Sequence, residues 1–395
     1  MARGDIAAGD APTQAARMTK PWLLLAVAAI GCGDNHPTTS PDAPVSPAPD
    51  ATTGGDAEPP PAAGITFYDY AIAVDVTPDG RTAVFEDLST GRVQAIVIDT
   101  VTGAIATPID AGDPSGALVT GIASTGRMTA MHGDDAIEAG VLDGTTWRDL
   151  PSPYTTACDP QFGGAWDVSA DGSVVVGFMW NGCNPVAFRW LDGAAAVTPL
   201  DVLGARNGAG TPTNRATVVS DDGKVAAGFA ENLQLDRSPA IWDANGHGQL
   251  LDPAEQDAPG EILSINADGS RVAGVWALDG FTWTSAGGRV AIPRLDVSLP
   301  SDPVYPNAMS ADGSLVFGGV GDAFFTIPFA FVWSDAAGTR DLTALARDAG
   351  LAIPADTILN SVLGASADGR VLIGTAMTGD GTPKTFALRL PATAL

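Results

Sequence analysis

DVSADGSVVVG, residues 167–177, decides the fold of this chain, because versions of it return at nearly regular intervals. The stretch has the pattern of a strand, a tight turn and a second strand. A glycine fits such a turn because it adopts positive φ without steric cost. The spacings between successive turn glycines are 46, 46, 51, 46, 44 and 56 residues. A period of roughly 40 to 50 residues carrying several short strands predicts an all-β, seven-bladed β-propeller with four strands in each blade. The turn glycines are Gly80, Gly126 in a degraded copy, Gly172, Gly223, Gly269, Gly313 and Gly369.

Each copy also predicts how its hairpin is held and packed. The polar residue three positions before the turn glycine, Ser169 in this copy, can bond backbone amides of the turn. The second strand is apolar on both faces, as expected for a strand buried between neighbouring blades. It contains a glycine five residues after the turn glycine, where the absence of a side chain lets another backbone approach closely. These glycines are Gly177, Gly228, Gly274, Gly318 and Gly374.

The third strand carries a large apolar residue followed two positions later by tryptophan or leucine. A period of two places both side chains on one face of a strand, so we expect them in the core between blades rather than on a ligand platform. The pairs are Phe188 with Trp190, Phe281 with Trp283, Phe331 with Trp333, Phe386 with Leu388, and the reduced form Ala240 with Trp242.

Three features complete the predicted propeller. The strands of the first unit are expected at 71–76, 82–86, 94–99 and 104–108. In the sixth unit, Asp341 is expected to cap a short helix that ends before Gly350 and accounts for the longest spacing. The last unit has too few residues for a fourth strand, so residues 65–70 are expected to complete it and close the ring.

The residues before the propeller predict export. We expect residues 1–32 to be a signal peptide that starts at Met1 or Met18, because the apolar run from Trp22 to Ile30 is too short to span a bilayer. Ala29 to Cys32 resemble a bacterial lipobox, with plain secretory cleavage as the alternative. We therefore expect lipidation at Cys32, and a lipid anchor as the contact with the membrane. Residues 33–63 are rich in Pro, Asp and Thr and are expected to form an extended tether, and 64–395 are expected to form the propeller.

The net charge argues against nucleic-acid binding, and the positions of the cysteines predict a disulfide. The chain has 20 basic and 46 acidic residues, a net charge of -26, so it lacks the basic footprint of a nucleic-acid-binding protein. The cysteines other than Cys32 are Cys158, before the third unit, and Cys183, in a turn of that unit. Both loops emerge on one face of a blade, and exported proteins meet oxidising conditions, so we expect a disulfide between them. Two free thiols are the alternative.

The units resemble the HAF-type extracellular repeats of bacterial secreted proteins, since they combine S-x-D-G, an apolar run, glycine and F-x-W. The resemblance covers 71–390 and is weak in the first two units, where Phe85 and Met131 replace the second-strand glycine. It implies a propeller-like fold at the cell exterior. It implies no particular activity. From the lipobox-like residues and from glycine rather than aspartate at position 33, we expect an outer-membrane lipoprotein that faces the periplasm or the cell surface.

Candidate chemistry is sparse. Asp75, Thr77, Asp79, Gly80 and Glu86 match five positions of a calcium loop, but Pro78 and the strand pattern that follows argue against a metal. The histidines are His36, His132 and His247, and no catalytic motif accompanies them.

The sequence therefore predicts no catalytic residue, no cofactor-binding site and no metal site. The favoured hypothesis is a monomeric, non-catalytic binding or scaffold module for a protein or a polysaccharide. The rival is a secreted hydrolase or lyase that uses carboxylates in the propeller channel.

Overall fold

The computed structural model describes residues 61–89, 93–110, 117–132, 137–154, 162–203, 213–231, 237–252, 259–321 and 328–395. In these ranges the chain forms seven four-stranded antiparallel sheets. Each sheet is one blade of a propeller, and its first strand lies innermost, at the central channel. The predicted seven-bladed architecture is therefore confirmed.

The first four blades follow the chain in order. Blade one contains β2 (Ile72–Val76), β3 (Thr82–Asp87), β4 (Gln94–Asp99) and β5 (Ile109–Asp110), and blade two contains β6 (Ala117–Ile122), β7 (Met128–His132), β8 (Glu138–Asp143) and β9 (Thr146–Asp149). Blade three contains β10 (Gly163–Val168), β11 (Val174–Asn181), β12 (Asn184–Leu191) and β13 (Thr198–Pro199), and blade four contains β14 (Asn214–Val219), β15 (Ala226–Glu231), β16 (Arg237–Trp242) and β17 (Gly248–Leu250).

The last three blades include the closure of the ring. Blade five contains β18 (Gly260–Ile265), β19 (Arg271–Trp276), β20 (Asp279–Thr284) and β21 (Gly288–Ile292), and blade six contains β22 (Val304–Met309), β23 (Val316–Val320), β24 (Phe329–Ser334) and β25 (Gly338–Asp341). Blade seven contains β26 (Ile358–Ala365), β27 (Val371–Met377), β28 (Pro383–Arg389) and, as its fourth strand, β1 (Gly64–Tyr68). β1 pairs antiparallel with β28 from Gly64 opposite Arg389 to Tyr68 opposite Thr385, so the predicted closure is confirmed.

Two local predictions have different outcomes. The helix α1 (Leu342–Asp348) begins where expected, because the Asp341 side chain caps it by accepting a hydrogen bond from Ala344 N at 3.0 Å. The predicted fourth strand of blade one at 104–108 is wrong, since regular pairing occurs at Ile109–Asp110 and Ile105 makes only an isolated bridge with Ile98. Pro108 has no N–H to give to a ladder, so regular pairing begins after it.

Each innermost strand contains a β-bulge at the same place, and the bulge explains the second-strand glycines. Gly177 lies opposite Ala165, directly beside the bulge of β10. A Cβ atom on Gly177 would lie 2.0 Å from Gly164 O, well inside van der Waals contact. Gly274 is placed in the same way, with 2.1 Å to Glu261 O. The predicted close approach of two backbones is confirmed.

The hairpin turns between first and second strands are held internally and to one another. Ser169 Oγ donates to Asp171 Oδ1 at 2.7 Å and accepts from Val174 N at 3.0 Å, which fixes the turn of blade three. Backbone bonds then link neighbouring turns around the propeller, for example from Ala170 N to Asp221 O at 3.1 Å. Pro78 accepts from Ala367 N but has no N–H of its own. Blade one therefore makes no such bond to blade two.

The predicted aromatic core lies between the blades. Phe188, Trp190 and Phe331 are fully or almost fully buried, and Trp283 is partly buried. Within the part of the chain that the structure describes, no helix has the length and apolar character needed to cross a membrane.

Candidate functional site

The candidate site is the central channel, which holds a cavity of about 260 Å³. Its wall is built from the seven innermost strands. Because the bulge displaces one residue toward the axis in each strand, the bulged positions line the cavity. They bring Val74, Thr120, Trp166, Thr217, Leu263, Asn307 and Leu363 together.

Two aspartates in the channel tie neighbouring blades to each other. The Asp75 carboxylate accepts from Val76 N at 2.7 Å and from Ile122 N of blade two at 3.0 Å. The Asp167 carboxylate accepts from Val168 N at 2.8 Å and from Val219 N of blade four at 2.7 Å. Each of the four carboxylate oxygens therefore has a backbone donor.

Space for these carboxylates is provided by glycines in the preceding blade. A Cβ atom on Gly364 would lie 3.2 Å from Asp75 Oδ1, and one on Gly121 would lie 3.2 Å from Asp167 Oδ1. Both glycines occupy the position that aspartate occupies in blades one and three, two residues before the polar turn residue or its equivalent. Aspartate in one blade is thus matched by glycine in the blade before it.

The channel holds its carboxylates in an environment that resists ionisation. Burial raises the pKa of Asp75 to about 6, and the backbone donors oppose this shift. Burial and the neighbouring Asp75 raise the pKa of Asp167 well above its ordinary value. Burial, followed by Asp222, raises the pKa of Asp221 at the same cavity. A carboxyl group that protonates near neutral pH can act as a general acid, so these groups are the ones that could perform proton-transfer chemistry.

Glu86 forms a further carboxylate tie, outside the channel lining. Its Oε1 accepts from Val119 N of blade two at 2.6 Å, and the residue is 1% exposed. Burial raises the pKa of Glu86 to about 7. Blades one and two are therefore joined by the carboxylates of Asp75 and Glu86 at the interface where Pro78 removes the bond between turns.

The residues that matched a calcium loop do not converge on one point. Thr77 Oγ1 donates to Asp79 Oδ1 at 2.7 Å within the turn at Gly80. Asp75 instead accepts a hydrogen bond from Ile122 N, and Glu86 accepts one from Val119 N, both in blade two. Among the described residues, no group of three or more His, Cys, Asp or Glu side chains is arranged to hold a metal ion.

The two histidines that the structure describes, His132 and His247, lie away from the channel lining. His132 Nδ1 is 2.9 Å from Asp149 Oδ1, and its ring stacks on Trp147 with the centroids 5.4 Å apart. His247 is exposed, with Nδ1 3.3 Å from Asp201 Oδ2. His36 lies outside the described residues.

The predicted cysteine chemistry is not tested by the described residues. Cys183 lies at a turn with φ 65°, between β11 and β12. Cys158 and Cys32 fall outside the described ranges. The disulfide and the lipidation stay predictions.

Sequence reasoning missed the channel aspartates as a set. Asp75 stands out in the sequence only as a candidate calcium ligand, and Asp167 only as the first residue of the repeated stretch. The signal lies in the repeat alignment, where DVT at 75–77 and DVS at 167–169 share a position that the other units fill with glycine, valine, serine or alanine.

Comparisons with known proteins support the fold alone. No family model matches the chain, and no curated protein matches it. Among solved structures, an oligogalacturonate lyase from Vibrio parahaemolyticus is 13% identical, with a TM-score of 0.51 over 84% of this chain and 92% of that one. The β-propeller domain of Cps50 (Swd1) from Myceliophteria thermophila is 12% identical, with a TM-score of 0.52 over 83% and 99% of the two chains. At this identity the likeness establishes a propeller and no shared activity.

Proposed function

We propose that this chain is an exported lipoprotein whose propeller serves as a non-catalytic binding module for a protein or a polysaccharide. The observation that carries the proposal is the use of the channel carboxylates. Each oxygen of Asp75 and Asp167 accepts a backbone N–H, so these groups join blades and are not directed at a substrate. We call the end of the propeller opposite the hairpin turns the loop face, and we propose that a partner binds there.

The export part of the proposal rests on the sequence. A short apolar run, the lipobox-like residues ending at Cys32 and the proline-rich residues 33–63 are arranged as anchor, tether and head. The resemblance to HAF-type repeats supports the same exterior location. The Cys32→Ser variant should move from the membrane fraction to the soluble fraction. A variant that still sediments with membranes and incorporates a fatty-acid probe would contradict the lipid anchor.

The binding part is tested on the purified protein with an array of envelope polysaccharides and surface proteins. We expect saturable binding to a member of one class, with no change in the mass of the bound material. The matched control is the same protein unfolded in denaturant and immobilised at equal density. Depolymerisation of a polysaccharide in place of stable binding would refute the non-catalytic assignment.

One observation favours the rival hydrolase or lyase. Asp75, Asp167 and Asp221 are near one another at one cavity, and burial raises the pKa of each. If they perform catalysis, Asp75→Asn and Asp167→Asn should each abolish polysaccharide cleavage while the Glu231→Gln variant retains it. Under our proposal the original protein and all three variants leave the polysaccharide uncleaved.

A further inference from the structure

Arg237 on the loop face of blade four carries hydrogen-bond donors that the described residues leave unused. It is the first residue of β16, and its guanidinium lies 4.4 Å from the centre of the Phe229 ring. The side chain is 36% exposed. Its Nη1 is 3.9 Å from Glu261 Oε2, which is too long for a hydrogen bond. Stacking therefore holds the guanidinium, and no described residue accepts a hydrogen bond from its N–H groups.

The nearby carboxylates have other partners. Glu261 Oε1 accepts from Arg215 Nη2 and from Thr217 Oγ1, both at 2.5 Å, and the Glu261 side chain is 5% exposed. Glu231, opposite Arg237 in the β15–β16 register, accepts from Thr213 N at 2.8 Å. Arg215 and Thr217 thus take the hydrogen bonds of Glu261, and Arg237 meets Glu261 Oε2 only as a long ion pair at 3.9 Å, without a hydrogen bond.

A second observation concerns two buried donors in the series of stacked side chains that leads from Arg237 to the channel. The Arg215 guanidinium lies 4.1 Å from the Trp166 ring, so Trp166, Arg215, Phe229 and Arg237 form one stacked series from the channel to the loop face. Trp166 Nε1 and Arg215 Nε are buried, and no described residue accepts a hydrogen bond from either. Buried donors are rarely left without an acceptor, so this cluster has an excess of donors over acceptors.

We propose that this cluster, named here the arginine ladder (Trp166, Arg215, Phe229, Arg237 and Glu261), binds a carboxylate presented by a partner protein. A guanidinium presents parallel N–H groups that match the two oxygens of a carboxylate. Arg237 is suited to this because Phe229 stacks on its guanidinium, and arginine is one of the residue types enriched among the residues that dominate binding at protein interfaces. The inference rests on the proposed binding function and names its partner class.

Charge favours one acidic group on a basic partner over an acidic polymer. The chain carries a net charge of -26, so a polyanion approaching the loop face is repelled by the rest of the molecule. A basic protein surface is attracted by the same field, and a single acidic side chain within it can reach Arg237. The arginine ladder therefore favours a partner protein of net positive charge that presents a single acidic side chain to Arg237.

The test uses the full-length protein and two basic peptides that differ at one position. The probe is acetyl-Lys-Ala-Asp-Ala-Lys-amide, and its control has asparagine in place of the aspartate. Arginine side-chain N–H resonances are followed by NMR during titration, together with the dissociation constant. We expect the Asp peptide to bind at least about tenfold more tightly than the Asn peptide. The Arg237 resonance should shift only with the Asp peptide.

Two variants make the test specific. Arg237→Gln should reduce binding of the Asp peptide to the level of the Asn peptide, and Arg237→Lys should restore part of it. The matched control is Arg148→Gln, because Arg148 also stacks on an aromatic ring, at 5.0 Å from the centre of Trp190, but is paired with Asp143 at 3.2 Å. That variant should bind like the original protein.

Three results would overturn the inference: equal binding of the two peptides, unchanged binding by a folded Arg237→Gln variant, or tighter binding of trigalacturonate than of the Asp peptide. Failure of the broader function is distinguishable. If the Arg237→Gln variant binds its array partner as well as the original protein does, the proposed role of the arginine ladder is refuted and the binding function is not. If the original protein binds nothing on the array, the binding function itself is refuted.

Discussion

Replacing Glu86 with glutamine should change how the stability of the propeller depends on pH. Glu86 is 1% exposed between blades one and two, and burial raises its pKa from 4.5 to about 7. A folded-state pKa above the unfolded one means that the folded protein favours the protonated carboxyl group. The associated stability is complete below the unfolded value near 4.5 and is lost as the pH rises through about 7.

The size of the effect follows from that shift. One pKa unit corresponds to about 1.4 kcal/mol, so ionising Glu86 in the folded state lowers the free energy of unfolding by about 3 kcal/mol between pH 4.5 and pH 8. Glutamine cannot ionise, and its carbonyl oxygen can still accept from Val119 N. The Glu86→Gln variant should therefore match the original protein at pH 4.5 and exceed it by up to about 3 kcal/mol at pH 8.

The assay is equilibrium unfolding in urea at pH 5, 6, 7 and 8. Acid also relieves the repulsion within a chain of net charge -26, so the informative quantity is the difference between variant and original protein at each pH. Glu231→Gln is the matched control, because Glu231 also accepts a backbone N–H, from Thr213 at 2.8 Å, but is partly exposed. A difference for Glu86→Gln that does not grow with pH would refute the argument.

Three further predictions concern closure, packing and the cysteines. Deletion of residues 1–70 should lower the melting temperature far more than deletion of 1–63, because only the longer deletion removes the β1 ladder with β28; equal melting temperatures would contradict closure by β1. Gly274→Ala should destabilise by about 3 kcal/mol, since the new Cβ meets Glu261 O at 2.1 Å, whereas Gly64→Ala, with no atom within 4 Å, should be nearly neutral in urea unfolding. The predicted bond between Cys158 and Cys183 closes a loop of about 25 residues and should contribute about 3 kcal/mol. Alkylation of the unreduced, denatured protein should label neither of these two cysteines, and labelling of both would show free thiols.

The fold was predictable from the sequence because the turn chemistry repeats. Glycine at positive φ, a hydroxyl that clasps the turn and a glycine opposite the bulge each leave a fixed residue type at a fixed spacing. The short fourth strand of blade one was not predictable in the same way. Edge strands make few contacts, so their sequences are weakly constrained, and Ala104 to Pro108 matched a strand pattern without forming one.

The candidate site was less accessible to sequence reasoning, since its parts come from different blades. Asp75 bonds an amide 47 residues away, and Asp167 bonds one 52 residues away. The arginine ladder similarly joins Trp166, Arg215 and Glu261 from three successive blades. Each blade is built on the same pattern. Only an alignment of the seven repeats could therefore have shown the positions at which one blade carries a different residue, and which of these residues come into contact.

Positions at which one blade differs from the others are better candidates for a functional role than positions that all blades share. A position filled alike in every blade is explained by the needs of the blade, as the bulge explains Gly177 and its equivalents. Arg237 has no such explanation, because it contacts Phe229 by stacking and is held 3.9 Å from Glu261 without a hydrogen bond. Arg237 is a partly exposed side chain that Phe229 of its own blade positions, and no described residue accepts a hydrogen bond from it, so we propose that it meets a partner. This is why we propose that the partner-binding residue lies on the loop face, and that the half-buried aspartates Asp75 and Asp167 of the channel hold the blades together.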